Sequence, residues 1–417
     1  MTTLDAAMQT MEKDRGAEGN YQLFAAGSNA GMAAHELAFG PLSLDRVDAS
    51  FIQVLEKSGL TGRGGAAFAS WKKLAATDQG RGDARLSAKP VVIGNGAEGE
   101  PLSFKDKTLL IHAPHLVIDG LLIAGRAVSA SQLYIYTTEV AMAVVESAVG
   151  SRRDARRIKV VQAPETFISG EASAVVNNIA NGSALPMDNR RRLSESGVKG
   201  RPTLVLNVET LAHVALIARH GVGWFRTAGS DRDPGTRLVS VSGQAVEQVL
   251  EVEGDARISD ILASAGVDLG RVGAVLVGGY HGQWVRSMEY RLSPMGPGDQ
   301  VVRPGAGVLH VLSDTECPLV ATARIVGYLA GESARQCGPC MFGLPAMARV
   351  LDAIAYGDPD PRLVGELERL GRLVGGRGAC HHPDGTARLV GSALETFSAD
   401  VKAHLAGSCT RKSGRTA

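Results

Sequence analysis

Across 417 residues, hydrophobic side chains make up 44% and charged ones 21%, the balance of a globular chain long enough for two or three domains. A formal net charge of +1 argues against nucleic acid or an acidic membrane surface as main partner, and no run approaches the roughly 18 unbroken apolar residues of a membrane span. Five cysteines, three of them between Cys337 and Cys380, do not read as a disulfide framework; in a reducing cytoplasm such a group points to metal, and the polar start MTTLDAAMQTMEKDRG is no signal peptide.

Residues 1–45 read as a loosely packed lead-in with one or two short helices. Asp48–Lys57 spaces Phe51, Val54 and Leu55 at helical intervals and feeds a glycine loop, SGLTGRGGAAFASWKK, over Ser58–Lys73. Gly62, Gly64 and Gly65 let backbone approach a ligand, while Arg63, Lys72 and Lys73 supply cations, a combination that suits a phosphate. The loop is neither a Walker loop nor GxGxxG, and composition alone fits a flexible surface loop equally well. Thr77–Ala88 reads as a polar loop. Val91–Gly94 is a buried strand opening into NGAEGEP, followed by one long helix, Thr108–Val128, with structural histidines at 112 and 115. Gln132–Thr137 and Ile158–Gln162 read as strands around a Glu139–Val149 helix, and Arg152, Arg153, Arg156 and Arg157 as a solvated helix end.

Asn181–Ser196 reads as a loop over the site, Thr203–Leu206 as a strand, Val208–Arg219 as a helix and Gly221–Pro234 as a linker. The alternation predicts a parallel sheet with helices on both faces and a ligand at the strands' carboxyl ends. From Arg237 short β runs (RLVSVSG, VLEVEG, AVLVGGY, GVLHVL) with one helical stretch, ISDILASAG, predict a small β-grasp module without chemistry of its own. Helical patterns return over Val320–Ala330, Leu344–Tyr356 and Pro361–Val374. The tail after Gly407 reads as disordered, with Cys409 incidental. The domains predicted are therefore 46–235 (α/β), 236–313 (β-grasp) and 314–406 (helical bundle), between the 1–45 lead-in and the 407–417 tail.

Five motifs in one order give the chain a family likeness: the glycine loop, Asn95–Pro101 with Phe104-Lys105-Asp106, Ile168–Ala174 (ISGEASA), Gly200–Leu211 (GRPTLVLNVETL) and Glu332–Cys340 (ESARQCGPC). They resemble the NADH-binding flavoprotein subunit of respiratory complex I, a subunit type also found in NAD-linked hydrogenases and formate dehydrogenases, over nearly the whole chain from about residue 40. The resemblance implies a Rossmann-like flavin domain, a β-grasp domain and a helical iron–sulfur bundle. It carries over Gly62, Arg63, Gly64, Gly65, Lys73, Asn95, Glu98, Gly170, Glu171 and Asn207 as the FMN set, and Phe68 and Glu100 toward NADH. It also carries over Cys337, Cys340 and Cys380 as ligands of a [4Fe–4S] cluster, with a [3Fe–4S] form as the variant.

Several positions depart from the family pattern. Ala97 and Phe167 replace an Asp and a Tyr, each worth about 1 kcal/mol of hydrogen bonding. Ala76 and Ala172 remove NADH contacts, and Ala334 stands where the fourth thiolate belongs. Arg190–Arg192 would suit the extra phosphate of NADPH, although a solvated basic loop is the preferred reading. For the open cluster corner the sequence offers His381, His382 and Cys317, or no protein ligand at all. Three buried apolar cysteines are the alternative to any cluster. The function expected is a cytoplasmic oxidoreductase passing hydride from NADH to FMN and single electrons through one cluster to an iron–sulfur protein or sister subunit, with no side chain as general base. Its rivals are a relay or scaffold subunit with a decayed NADH site and a flavin reduced by another donor, such as ferredoxin.

Overall fold

The computed structural model describes residues 22–28, 31–79, 88–187, 191–294 and 301–411. Most of the lead-in, the middle of the Thr77–Ala88 loop, Arg190 and the last tail residues lie outside them. Strands β1 (Val91–Gly96), β2 (Gln132–Thr137), β3 (Ile158–Gln162) and β4 (Thr203–Asn207) form an all-parallel sheet in the order β3-β2-β1-β4. Val91, Val92 and Ile93 are fully buried because both faces are covered. Val92 joins the core with Leu109, Leu116 and Leu121, whereas Val91 and Ile93 join Tyr136 and Val175 on the other side, the two-residue period of a strand.

The single helix expected over Thr108–Val128 is two, Lys105–His112 and Pro114–Ala127, bent by 97°. Pro114 has no N–H to give the preceding turn, and Ala113 leaves helical backbone at φ −134°, ψ 48°. The second helix crosses the Val208–Phe225 helix so closely that a Cβ on Gly120 would stand 1.8 Å from the Leu211 carbonyl oxygen. Among the described residues no single helix is long and apolar enough to cross a membrane; the bent pair passes by length and composition together, and its apolar residues pack in the sheet's core.

Three surface readings are corrected. The expected linker from Gly221 begins as helix through Phe225, and its Asp233 is fully buried. Arg152 is not a solvated helix end: it is buried and pairs with Asp119, which also binds His35 and Arg219. Thr77 lies inside the Ser70–Gln79 helix rather than in a loop.

Strands β5 (Thr236–Gly243), β6 (Val246–Glu253), β7 (Val272–Val277) and β8 (Gln283–Val285) belong to a second sheet, to which a short β9–β10 pair (Arg291–Leu292, Val301–Val302) is peripheral. With β11 (Val308–Ser313) its order is β6-β5-β11-β7-β8, β11 running parallel to β5 and antiparallel to β7. Alternation along β7 divides the faces. Val275 and Val277 meet Ile261 and Leu262 of the Ile258–Ser264 helix. Ala274 and Leu276 meet Leu319, Leu351 and Leu389 of the C-terminal helices, which run Pro318–Gly331, Leu344–Ala355, Arg362–Val374, His382–Thr396 and Ser398–Leu405. Those helices therefore share a core with the second sheet.

Candidate functional site

The chain passes from β1 outward to β3, then returns to lay β4 on the other side of β1, so the order reverses between β1 and β4. A crevice at the carboxyl ends of the strands is the place for a ligand in such a sheet. Asn95 and Asn207 are register partners there. Asn95 donates through Nδ2 to the Gly170 carbonyl at 2.9 Å, and its Oδ1 accepts the Ala97 amide. Asn207 caps the Val208–Phe225 helix by accepting from the Glu209 amide. Its Nδ2 donates to Asp106 at 2.6 Å. Three motifs distant in sequence thus meet.

The glycine loop closes on itself, with the Gly62 amide on the Phe68 carbonyl and the Ser70 amide on the Leu60 carbonyl. A Cβ on Gly64 would lie 3.1 Å from the Asn207 Cβ; Gly65 has φ +100° and faces the Gly305 backbone at 3.6 Å. Phe68 stands 49% exposed, an aromatic face open to a partner. Lys73 is half-buried; its Nζ reaches only the Val205 carbonyl, at 3.3 Å, and among the described residues it has no carboxylate partner. Burial lowers its pKa.

Arg63, carried into the FMN set by the resemblance, already has partners. It is buried, pairs with Asp233 at 2.8 Å and donates to the Pro234 and Thr236 carbonyls, so its guanidinium is committed to these groups. It fastens the loop to the start of β5. Glu98 and Glu171 are likewise engaged. Glu98 accepts the Asp106 and Lys107 amides at the start of the Lys105–His112 helix, and Glu171 caps Ala172–Asn181 through the Ser173 and Ala174 amides. Glu100 accepts the Tyr280 amide at 2.8 Å and the Leu102 amide; burial pushes its carboxyl up to about 7.

Beneath Asn207 lies a buried network that residue-by-residue reading did not resolve. Lys105 Nζ donates to Asp106 at 2.6 Å and to Glu209 at 2.7 Å, and Glu209 accepts the Leu238 amide. Burial, against the pull of Lys105, raises Asp106 to about 7. The signal was present: the four residues sit inside FKD and NVET, charged groups flanked by apolar runs. The second sheet also takes part, through Gly305 behind Gly65 and Gly279 against Glu100, where a Cβ would stand 2.5 Å from the carboxylate oxygen.

Cys337, Cys340 and Cys380 come together at the start of the Leu344–Ala355 helix. Burial works against the Cys337 thiolate, but the Ala379 and Cys340 amides and the Cys340 thiol bring its pKa below the usual value. Burial and the Cys337 thiol push Cys340 up to about 12. Cys380 is raised by burial and feels the charge of Glu171. Two of the suggested fourth ligands are committed elsewhere. His382 donates through Nε2 to the Leu329 carbonyl at 2.8 Å, which leaves Nδ1 to accept from His281 at 3.1 Å. Cys317 lies beside His404 instead. His381 is exposed and faces Asp384. Between the two regions, Phe167 packs edge-on against His281, His382 and Tyr328, and its amide donates to Glu332.

Two family models match the chain, Nuo51 FMN-binding domain over residues 55–216 and NADH-ubiquinone oxidoreductase-F iron-sulfur binding region over residues 320–404. The F 2 subunit of NADH-quinone oxidoreductase in Rhizobium meliloti is 28% identical over 403 residues, 91% of this chain and 93% of that one. The F subunit of the Escherichia coli enzyme is 28% identical over 385 residues, covering 84% and 83%. An NAD+-reducing [NiFe]-hydrogenase in the air-oxidized state shares the fold, with a TM-score of 0.78 at 23% identity over 99% of this chain and 74% of that one. In its H2-reduced state the values are 0.74 and 24%, over 88% of this chain and 66% of the hydrogenase chain. With two models that together match more than half its length and relatives matched nearly end to end, the chain belongs to the family of NADH-binding FMN and iron–sulfur flavoprotein subunits of respiratory complex I.

Proposed function

We propose that this chain is the subunit that oxidises NADH on FMN and sends the electrons singly through an iron–sulfur cluster to a partner subunit. The observation that carries the reading is the meeting of Gly64, Asn95, Gly170 and Asn207 where the parallel sheet reverses, beside a lysine that has no carboxylate partner among the described residues. That cradle fits FMN: Gly64 and Gly65 leave room for backbone N–H groups to face a phosphate, and Lys73 supplies charge. Asn95 and Asn207 are held rigidly, the first by Gly170 and the second by Asp106, itself paired with Lys105, so their polar atoms are preorganised. Bound FMN takes up hydride as two electrons and releases them one at a time.

Toward NADH, Phe68 offers its exposed ring for stacking and Glu100 its carboxyl. Ala76 and Ala172 offer nothing in place of the family's contacts, so affinity is reduced. The cysteine group fits a cluster held by three thiolates. With His382 bonded at both nitrogens, the fourth iron has no buried imidazole from that residue. We read the first sheet as a Rossmann-like domain over 46–235, the second as a β-grasp domain over 236–313 and the remainder to 406 as the iron–sulfur domain. Met341 and Phe342, 51% and 71% exposed directly after Cys340, support an apolar contact with an iron–sulfur protein or sister subunit. Thiolate ligands of this kind persist in a reducing cytoplasm, where we place the protein.

Anaerobic stopped-flow mixing with NADH tests the reading. The flavin band of the purified protein should bleach at concentrations up to about 1 mM NADH, the upper range of ordinary KM values. Flavin that dithionite bleaches and NADH does not would make the chain a relay.

A further inference from the structure

Away from the flavin cradle and the Cys337 group, a third set of soft ligands converges at the far end of the helical region. The sulfurs of Cys317 and Cys409 and a ring nitrogen of His404 all lie within 4.8 Å of one another. Cys317 Sγ is 3.4 Å from His404 Nε2. Tetrahedral zinc with one thiolate and one imidazole sets those atoms about 3.5 Å apart, given bonds of about 2.3 and 2.0 Å. We propose that Cys317, His404 and Cys409 form a Cys2His site for a soft divalent cation, zinc foremost, with water as the fourth ligand.

Each ligand is prepared by its surroundings. His404 is buried, and its Nδ1 donates to the Ala355 carbonyl at 2.8 Å. That bond fixes the tautomer and leaves the Nε2 lone pair toward the sulfurs, the usual outer-shell arrangement of a metal-binding histidine. Cys317 occupies the N-cap of the Pro318–Gly331 helix, where burial raises its thiol against the smaller pull of the Val320 and Leu319 amides. A bound zinc would supply the charge that deprotonates such a thiol. Cys409 is exposed, which gives water and metal their way in. Two thiolates and an imidazole select zinc over magnesium or calcium, which take oxygen ligands.

The site would pin the segment after the Ser398–Leu405 helix to the head of the Pro318–Gly331 helix. A neighbouring bond already runs the same way, Arg411 donating to the Asp314 carbonyl at 3.0 Å, while the Thr410 hydroxyl folds the segment back onto Asp400 of its own helix. Cys409, incidental by sequence, is then a tether. The proposal is independent of the flavin and of the cluster at Cys337, Cys340 and Cys380.

Tag-free full-length protein, purified anaerobically and stripped with a mild chelator, should take up one zinc per chain against a chromophoric competitor. Cobalt in its place should show sulfur-to-cobalt charge transfer and the d–d bands of a tetrahedral site. Because Cys409 is exposed, Cys409→Ser tests the site without disturbing the core. It should weaken zinc by more than about a hundredfold, since losing an outer partner alone costs about 10–100-fold. Iron and flavin content should stay unchanged. Cys337→Ser should keep this zinc. Zinc that survives Cys409→Ser but disappears in Cys337→Ser would place it in the other thiol group and overturn the proposal. A wild-type chain with free thiols and no zinc uptake would overturn it too, as would a Cys317–Cys409 disulfide in protein purified anaerobically.

Discussion

Arg63 and Lys73 carry the same charge in neighbouring turns, yet their partners assign them opposite work. Arg63 is neutralised by buried Asp233, while Lys73 meets only a carbonyl among the described residues. Arg63→Met should therefore destabilise the fold by about 3 kcal/mol, the cost of breaking a buried pair, read as a lower urea midpoint. Lys73→Gln should leave that midpoint near wild type and weaken FMN by about ten- to a hundredfold, the worth of one charged hydrogen bond, read by flavin fluorescence quenching. Reversed outcomes would return Arg63 to the phosphate. Glu100 offers a test by pH. Its carboxyl rises from 4.5 unfolded to about 7 folded, chiefly through burial, so its contribution is fully present below about 4.5 and is lost as pH rises through 7. Glu100→Gln should therefore lose less thermal stability than wild type between about pH 5 and pH 8, whereas an identical slope would mean an unshifted carboxyl. The motifs marked these residues but not their directions: nothing in SGLTGRGG says that its arginine turns inward, because Asp233 lies in a stretch that reads as a linker.

The helices that frame the flavin cradle were legible where periodicity was strong and misread where one residue overrode it. Apolar spacing runs unbroken from Thr108 to Val128, and only the missing N–H of Pro114 converts one helix into two at 97°. The bend matters for the site. It lets the Lys105–His112 helix carry Lys105 and Asp106 under Asn207 while the Pro114–Ala127 helix backs the sheet. Its partner is the Val208–Phe225 helix, which begins at Asn207, and Gly120 sets how closely the two approach. Gly120→Ala would push a methyl into the Leu211 carbonyl. It should cost at least about 2–3 kcal/mol, and it should weaken FMN by displacing the start of the β4 crossover. Urea titration with and without excess FMN separates the two effects. Unchanged stability would mean that the helices part freely. The strands were easier to read, since Val91–Ile93 and the runs from Arg237 are bounded by glycine and rich in branched side chains.

At the scale of the whole molecule, the flavin cradle and the cysteine group are parts of one connected body. Ile168–Ala174 touches both: Gly170 receives Asn95, Glu171 bears on Cys380, and Phe167 beside them packs against His281 and His382 and bonds Glu332. The second sheet is wedged between, with Gly305 behind the glycine loop and Leu276 in the core of the C-terminal helices. Such contacts join residues from 75 to well over a hundred positions apart, and that is why no local pattern discloses them. They also make a separation of function testable. Cys337→Ser removes a thiol that is partly exposed at the outer end of this body, leaving the Phe167 contacts and the cradle untouched. Iron and acid-labile sulfide should fall to a small fraction of wild type and the reduced cluster's EPR signal should vanish. Flavin content and the rate at which NADH bleaches it should stay within about twofold. Transfer onward to a one-electron protein acceptor should be lost, because the cysteine group is the only thiol set adjoining that segment among the described residues. If acceptor reduction survives without iron, electrons leave the protein at the flavin side, and the exposed Met341 and Phe342 are not where the partner takes them.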